Sequence, residues 1–449
     1  MKKLITVLFI LSIFALNISA QTPKWTTYDY NSSNSALTST YNLATDASGN
    51  IWIGTNQSVV KFNQTNSWTI YDYTTSGMVN DNVTDLVVTN TGSLWVCTYG
   101  SGFLYYNGVS TWVQKNMSTT GNLMPTNYTY CLTLDNASNI YVGINCGNNS
   151  NAGLVKWDGG NTWTPYTFTD THNYKNVECI AKDNLGNIWC GTSIGLYKYN
   201  PTTATWMNYT KESTSAGLGG NWVRTIACDA SGNIWVGAMD LVNGSYVGTG
   251  LTKYTPSTNL WSNYIANSQD PNSKVVSAIA FRNSDVWVGT GFCGQYGGNG
   301  LYKFDGSTWT NYVNDSNTFP GTCVNDLVVD KNNNLWIAGA NILTKVDFNP
   351  TDVKETEAIP TSFKLNQNYP NPFNPETVIS YQLPVSGKVR LSVSDLLGRE
   401  VAVLVDEIQP AGIHHSTFSS ARTALSSGVY FYKLQTENFV DLKKMMIIK

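Results

Sequence analysis

The chain has 449 residues, a formal net charge of −3 and only 13% charged residues. That length accommodates a large repeat array plus one small domain. The weak acidic balance leaves no basic footprint, so nucleic acid is not an expected partner.

The first segment carries Lys2 and Lys3, an apolar run from Leu4 to Leu16, and Ile18-Ser19-Ala20 before Gln21. This is the pattern of a secretory signal peptide over residues 1–20. The apolar run is short for a membrane span, and no transmembrane segment is expected after cleavage.

The mature chain then repeats one phrase. Its clearest copy runs from Asp183 through Gly186-Asn187-Ile188-Trp189 and Gly195-Leu196-Tyr197-Lys198-Tyr199 to Trp206 and Tyr209. The first aromatic recurs at Trp52, Trp95, Tyr141, Trp189, Trp235, Trp287 and Trp336. A period of about 45 residues, with several short apolar runs per copy, predicts an all-β fold built as a seven-bladed β-propeller over residues 21–349. Each copy divides into four short strands bounded by Gly, Asn and Asp turns. The Asp is expected to bond turn amides, and the Trp to pack between neighbouring sheets. The seventh copy lacks its Trp-x-x-Tyr strand, whereas Trp25-Thr26-Thr27-Tyr28 stands alone at the other end. We therefore expect the N-terminal strand to complete the last blade, which removes open edges.

The phrase resembles the two-component regulator propeller repeat, whose pattern is close to Asp-x-x-Gly-x-Ile-Trp-Ile-Gly-Thr-x-x-Gly-Leu. Copies one, four and five match well. Copy two has Thr89 for the Asp and Cys97 for the Gly, and copy three has Tyr141 for the Trp. Copy six has a shortened turn at Asn283-Ser284-Asp285, and copy seven has Ala338 before its Gly. In that family the propeller often forms the periplasmic sensor of a membrane-bound kinase. Without a spanning helix or kinase region, that signalling role is not expected here.

Residues 350–361 read as a polar linker. Alternating strands without Trp or Cys follow, at Thr377–Leu383, Lys388–Ser394, Glu400–Leu404, Gly428–Gln435 and Leu442–Ile448. They predict a small Ig-like β-sandwich over residues 362–449. Asn368-Tyr369-Pro370-Asn371-Pro372-Phe373-Asn374-Pro375 opens this module and Asp395-Leu396-Leu397-Gly398-Arg399 marks its middle. Leu425-Ser426-Ser427-Gly428-Val429-Tyr430 and Lys443-Lys444-Met445-Met446-Ile447 close it. Together these motifs resemble the C-terminal sorting domain of type IX secretion cargo. The resemblance implies passage through the periplasm to the outer-membrane surface or exterior of a Gram-negative bacterium, with the secretion machinery as partner.

All eight cysteines lie in the repeat region. Export permits disulfides, and Cys146 and Cys293, in Gly/Asn-rich loops, are the better candidates. Cys97, Cys131, Cys179 and Cys190 also read as buried thiols that pack as small hydrophobes. With no CxxC and no Cys/His cluster, neither a metal site nor a cofactor is expected.

Phrases common to every copy are explained by folding, so function is sought where copies differ. The loops between second and third strands are expanded at Gly143–Gly153, Gly237–Gly250 and Gly289–Gly300. They share one propeller face, the usual kind of place for binding. One innermost-strand position also varies, carrying Tyr41, Thr84, Tyr130, Glu178, Arg224, Ser277 and Asn325, with Trp222 beside Arg224. Aromatic faces beside hydrogen-bonding groups suit a glycan or protein ligand, and these eight residues are the ligand-binding candidates. No catalytic residue is assigned. The alternatives are a hydrolase or lyase using the axial carboxylates Asp85, Glu178 and Asp326, and a structural surface protein. His172 is the only histidine of the mature propeller.

Overall fold

The computed structural model describes residues 22–448 except 34, 75, 77, 79–81, 90, 110, 145–152, 161, 167, 169–175, 266–270, 294–297, 313–317, 349–361 and 421–424. The expected signal peptide and linker, together with Cys146 and His172, lie outside the described residues. The chain divides into two compact units, Met1–Asn349 and Pro350–Lys449.

The first unit is a seven-bladed propeller of four-stranded antiparallel sheets. Blades one to six take their strands in chain order, from Asn42–Thr45 as the inner strand of blade one to Trp309–Tyr312 as the outer strand of blade six. Blade seven runs Asp326–Val329, Leu335–Ala338, Leu343–Asp347 and then Lys24–Tyr28. The first strand pairs antiparallel with the third, Lys24 opposite Asp347 and Tyr28 opposite Leu343. Trp25 lies 5.2 Å from Tyr312 of blade six, and Tyr28 lies 5.0 Å from Phe62 of blade one. The strand therefore packs against both neighbouring blades.

The repeated residues have separate physical tasks. In blades one, four, five and seven one oxygen of the Asp takes turn amides, while the other accepts the indole N–H of the Trp six residues on. These indole bonds are 3.0 Å to Asp46, 2.9 Å to Asp183, 2.8 Å to Asp229 and 2.9 Å to Asp330. Burial works against ionisation of Asp46, Asp229 and Asp330, yet the bonds from Trp, Asn and backbone outweigh it and hold these carboxyls below their usual range. The third-strand Lys lies directly across from the second-strand aromatic, as Trp235 lies across from Lys253. Its ammonium sits over the ring at 5.1–5.7 Å in blades one, three, four, five and seven, a cation–π contact. Copy six carries Phe281 six residues before its Trp, where most other copies have the Asp, and the buried N–H of Trp287 has no partner among the described residues.

The repeated Gly is a socket. A methyl group built on Gly191 would come within 2.4 Å of Cys179 Sγ and 2.6 Å of Val223 Cγ1 of the next blade. The same crowding by the following blade's valine occurs at Gly54 with Val83, Gly143 with Val177, Gly237 with Val276 and Gly289 with Val324. Where the socket is not glycine, the knob is threonine. Cys97 precedes Thr98, whose N–H binds Thr129 Oγ1 at 2.9 Å, and Thr129 returns a bond to Gly102 O at 2.8 Å. Ala338 precedes Gly339, whose carbonyl accepts from Thr40 Oγ1.

The second unit has a three-stranded sheet (Lys364–Leu365, Glu376–Leu383 and Gly412–Ser419) and a four-stranded sheet (Glu400–Gln409, Gly387–Ser394, Gly428–Gln435 and Val440–Ile447). Phe373, Ile379, Tyr381, Leu391, Tyr432, Met445 and Ile447 are among the residues of its core. The Asn-Tyr-Pro motif is bound into this fold. Asn368 N–H donates to Tyr432 Oη at 2.8 Å, its side-chain amide donates to Thr377 Oγ1 at 2.9 Å, and Phe373 N–H donates to Met446 O at 3.0 Å.

Candidate ligand site on the loop-rich face

The inner strands of blades two to six share a β-bulge at one position. Register breaks between Val83 and Asp85, Thr129 and Cys131, Val177 and Cys179, Val223 and Thr225, and Val276 and Ala278. Thr84, Tyr130, Glu178, Arg224 and Ser277 are thus the extra residues, and a bulge re-aims its side chain. Tyr41 and Asn325 hold the same place just before the inner strands of blades one and seven. Their N–H groups bind Gly54 O at 2.9 Å and Ala338 O at 2.8 Å.

Three of these side chains stitch blades together. Thr84 Oγ1 donates to Thr129 O at 2.7 Å, Ser277 Oγ to Val324 O at 2.5 Å, and Asn325 Nδ2 to Thr40 O at 2.7 Å. Each acceptor belongs to the next blade. Tyr130 lies 5.8 Å from Tyr99, which stands edge-on to Tyr128 at 5.3 Å. Tyr99 and Tyr128 are both exposed. Tyr41 is partly buried.

Glu178, Trp222 and Arg224 come together. Arg224 Nη1 donates to Glu178 Oε2 at 3.0 Å, with side-chain exposures of 14% and 8%. The guanidinium lies 4.8 Å from the Trp222 ring and 4.4 Å from the Phe292 ring. Burial raises the Glu178 carboxyl above its ordinary range, while the Arg224 charge and the Trp222 indole pull it back. Arg224 Nε is buried with no partner among the described residues. Tyr246 packs edge-on against Trp222 at 4.3 Å.

Tyr246 belongs to the blade-five segment expected as an irregular loop. It is instead a long hairpin, Ile234–Val242 paired with Ser245–Thr255 around Asn243-Gly244. Leu241, Val242, Tyr246 and Val247 are exposed near its tip. Part of Gly143–Gly153 and of Gly289–Gly300 lies outside the described residues. Cys293, in the blade-six loop, forms a disulfide with Cys323. Cys97, Cys131 and Cys190 are buried free thiols, and Cys179 and Cys228 are partly buried ones.

The axial carboxylates Asp85 and Asp326 act as clamps. Asp85 accepts from Leu86 N–H and, in the next blade, Leu132 N–H, both at 2.8 Å. Asp326 accepts from Leu327 N–H and, in blade one, Leu43 N–H, both at 2.7 Å. Burial pushes both carboxyls up to about 7 against these amide bonds, and the Asp326 charge adds to the rise at Asp85. Among the described residues no group of three or more His, Cys, Asp or Glu is placed to hold a metal ion. No helix among them is long and apolar enough to cross a membrane.

Two families match the chain. The secretion system C-terminal sorting domain matches residues 367–449, and the two component regulator propeller matches residues 217–240 and 318–341. The chain carries regulator propeller repeats and a type IX sorting domain. That domain directs export to the cell surface or exterior and implies contact with the type IX secretion machinery. No match was found among functionally curated proteins. Among solved structures, the chain is similar to extracellular domains described as belonging to hybrid two component systems of B. thetaiotaomicron. For BT4673 the identity is 16% and the TM-score 0.58, covering 95% of this chain and 59% of that one. For BT3049 the values are 17%, 0.57, 95% and 58%. The propeller-repeat chain therefore spans less than two thirds of those domains. A streptogramin B lyase is similar at 14% identity and TM-score 0.55, over 72% of this chain and 97% of that one. These likenesses establish the fold.

Proposed function

We propose that the propeller is a secreted or cell-surface binding module that recognises a glycan or protein ligand on its loop-rich face. The observation that carries this reading is the Glu178–Arg224 pair, desolvated between Trp222 and Phe292 at a bulge position. A charge pair with aromatic walls offers directional hydrogen bonds inside an apolar frame, the usual composition of a ligand site. Exposed Tyr99, Tyr128 and Tyr246 add ring surface on the same face. Thr84, Ser277 and Asn325 contribute to the scaffold through their bonds to the next blade.

Glycan and peptide arrays probed with the full mature chain test the proposal. Binding is expected, and Trp222→Ala or Arg224→Ala is expected to weaken it by roughly tenfold or more, as for aromatic and arginine anchors elsewhere. Ligands that bind both variants as tightly as the parent would overturn this site. Turnover of a bound glycan that is lost in Glu178→Gln would instead support the hydrolase or lyase alternative.

A further inference from the structure

We infer that the Cys293–Cys323 disulfide assembles the Arg224 cluster, so that this face reaches its finished geometry only after export into an oxidising compartment. Cys293 directly follows Phe292, the ring covering one side of the Arg224 guanidinium at 4.4 Å. Its own N–H donates to Asn325 Oδ1 at 3.1 Å, and Asn325 reaches on to Thr40 O at 2.7 Å. Cys323 adjoins Val324, which fills the Gly289 socket and whose carbonyl accepts from Ser277 Oγ at 2.5 Å. The bridge therefore ties the tip-side loop of blade six to the start of the blade-seven inner strand.

The consequence runs through contacts already described. Glu178 of blade four holds Arg224 of blade five, and Phe292 of blade six closes the stack. Phe292 is anchored beside the one disulfide among the described residues. The other cysteines there are free thiols, and burial raises the Cys97, Cys131, Cys179 and Cys190 thiols far from reactivity. Among the described cysteines the disulfide is thus confined to the pair that bears on the cluster. Bond formation proceeds by thiol–disulfide exchange with an oxidised dithiol protein of the exporting compartment. Two thiols become one S–S bond, and their two electrons and two protons pass to the oxidant, whose own S–S bond breaks to give its dithiol. Phe292 and the cysteine pair are positioning residues, and their bearing on recognition rests on the binding reading above.

The test needs no ligand. Full-length mature chain, oxidised or mildly reduced and alkylated, is exposed to phenylglyoxal, and arginine modification is mapped by mass spectrometry. Arg282 serves as internal control, because it lies 3.5 Å from Phe348 and donates to Asn333 O at 2.9 Å, away from the bridge. Reduction is expected to speed modification of Arg224 by about tenfold, the scale of losing a desolvated cation–π contact, while Arg282 stays unchanged. Equal Arg224 rates in both forms would overturn the inference. If reduction or Cys293→Ser/Cys323→Ser unfolds the chain, both arginines will rise together. Phe292→Ala then decides, since it keeps the bridge but removes the stack. Selective exposure of Arg224 supports the positioning role, and continued protection sinks it. Repeating the arrays on oxidised and reduced chain separates the two claims. Absence of any ligand counts against the binding reading while the arginine result stands by itself.

Discussion

At the scale of single residues, the repeat is a set of paired polar obligations inside an aromatic shell. The Asp takes turn amides with one oxygen and an indole with the other, so removing it strands several buried donors at once. Asp229→Ala is expected to cost about 1–3 kcal/mol in urea unfolding, because Trp235 and Asn233 both lose their acceptor. An unchanged midpoint would mean that water takes over these bonds. Asp85 and Asp326 behave in the opposite sense. Folded, they keep protons up to about 7, whereas unfolded aspartates release them near 4. Between those values the native state binds more protons, so their contribution to stability is complete at low pH and declines as pH rises. A melting temperature lower at about pH 7.5 than at about pH 5 is expected, with a shallower slope in Asp326→Asn. Identical slopes in parent and variant would remove these groups from the account. Below about pH 4 the lowered carboxyls of Asp46, Asp229 and Asp330 act the other way, and acid destabilises through them.

At the scale of strands and blades, the glycine socket accounts for a covariation within one chain. Valine knobs meet glycine sockets in five blades, and threonine knobs meet Cys97 and Ala338. Gly191→Ala is expected to destabilise by about 1–3 kcal/mol through overpacking, and adding Val223→Thr should restore part of that loss. A double variant no more stable than the single one would show that the knob does not set the socket. The closing strand makes a further prediction. Deleting residues 21–30 removes Trp25, Tyr28 and the outer strand of blade seven, and the melting temperature should drop markedly. Blade number was legible because Asp, Gly and Trp each answer to a contact made again in most blades. In the second unit, Gly428–Gln435 matches its expected span. Gly412–Ser419 carries no clear strand signal, because Gly-Ile-His-His-Ser-Thr-Phe-Ser shows little alternation. The blade-five hairpin had its signal in Asn243-Gly244, a favoured two-residue turn, but its length obscured it. The candidate positions could be aligned by comparing copies. Their bulge could not, since an extra residue shows only against its paired strand. Nor could the stack on Arg224, which depends on Phe292 reaching across from the neighbouring blade.

At the scale of the whole molecule, one chain joins a rigid ring to an export signal. Removing residues 362–449 is expected to leave the propeller inside the cell envelope, as fractionation and immunoblotting of culture supernatant would show. Secretion of the truncated chain at normal levels would sever the link between sorting domain and export. The closing strand adds a dimension of time. Thr27 and Thr344 touch through their hydroxyls at 3.0 Å across 317 positions, so the first strand of the ring in chain order waits for the last. Six blades can form as they emerge, each from contiguous sequence, but the circle stays an open arc until Leu343–Asp347 arrives. Once shut, the same latch makes loosening of any blade a matter for the entire circle, so that resistance to proteases outside the cell depends on a five-residue clasp.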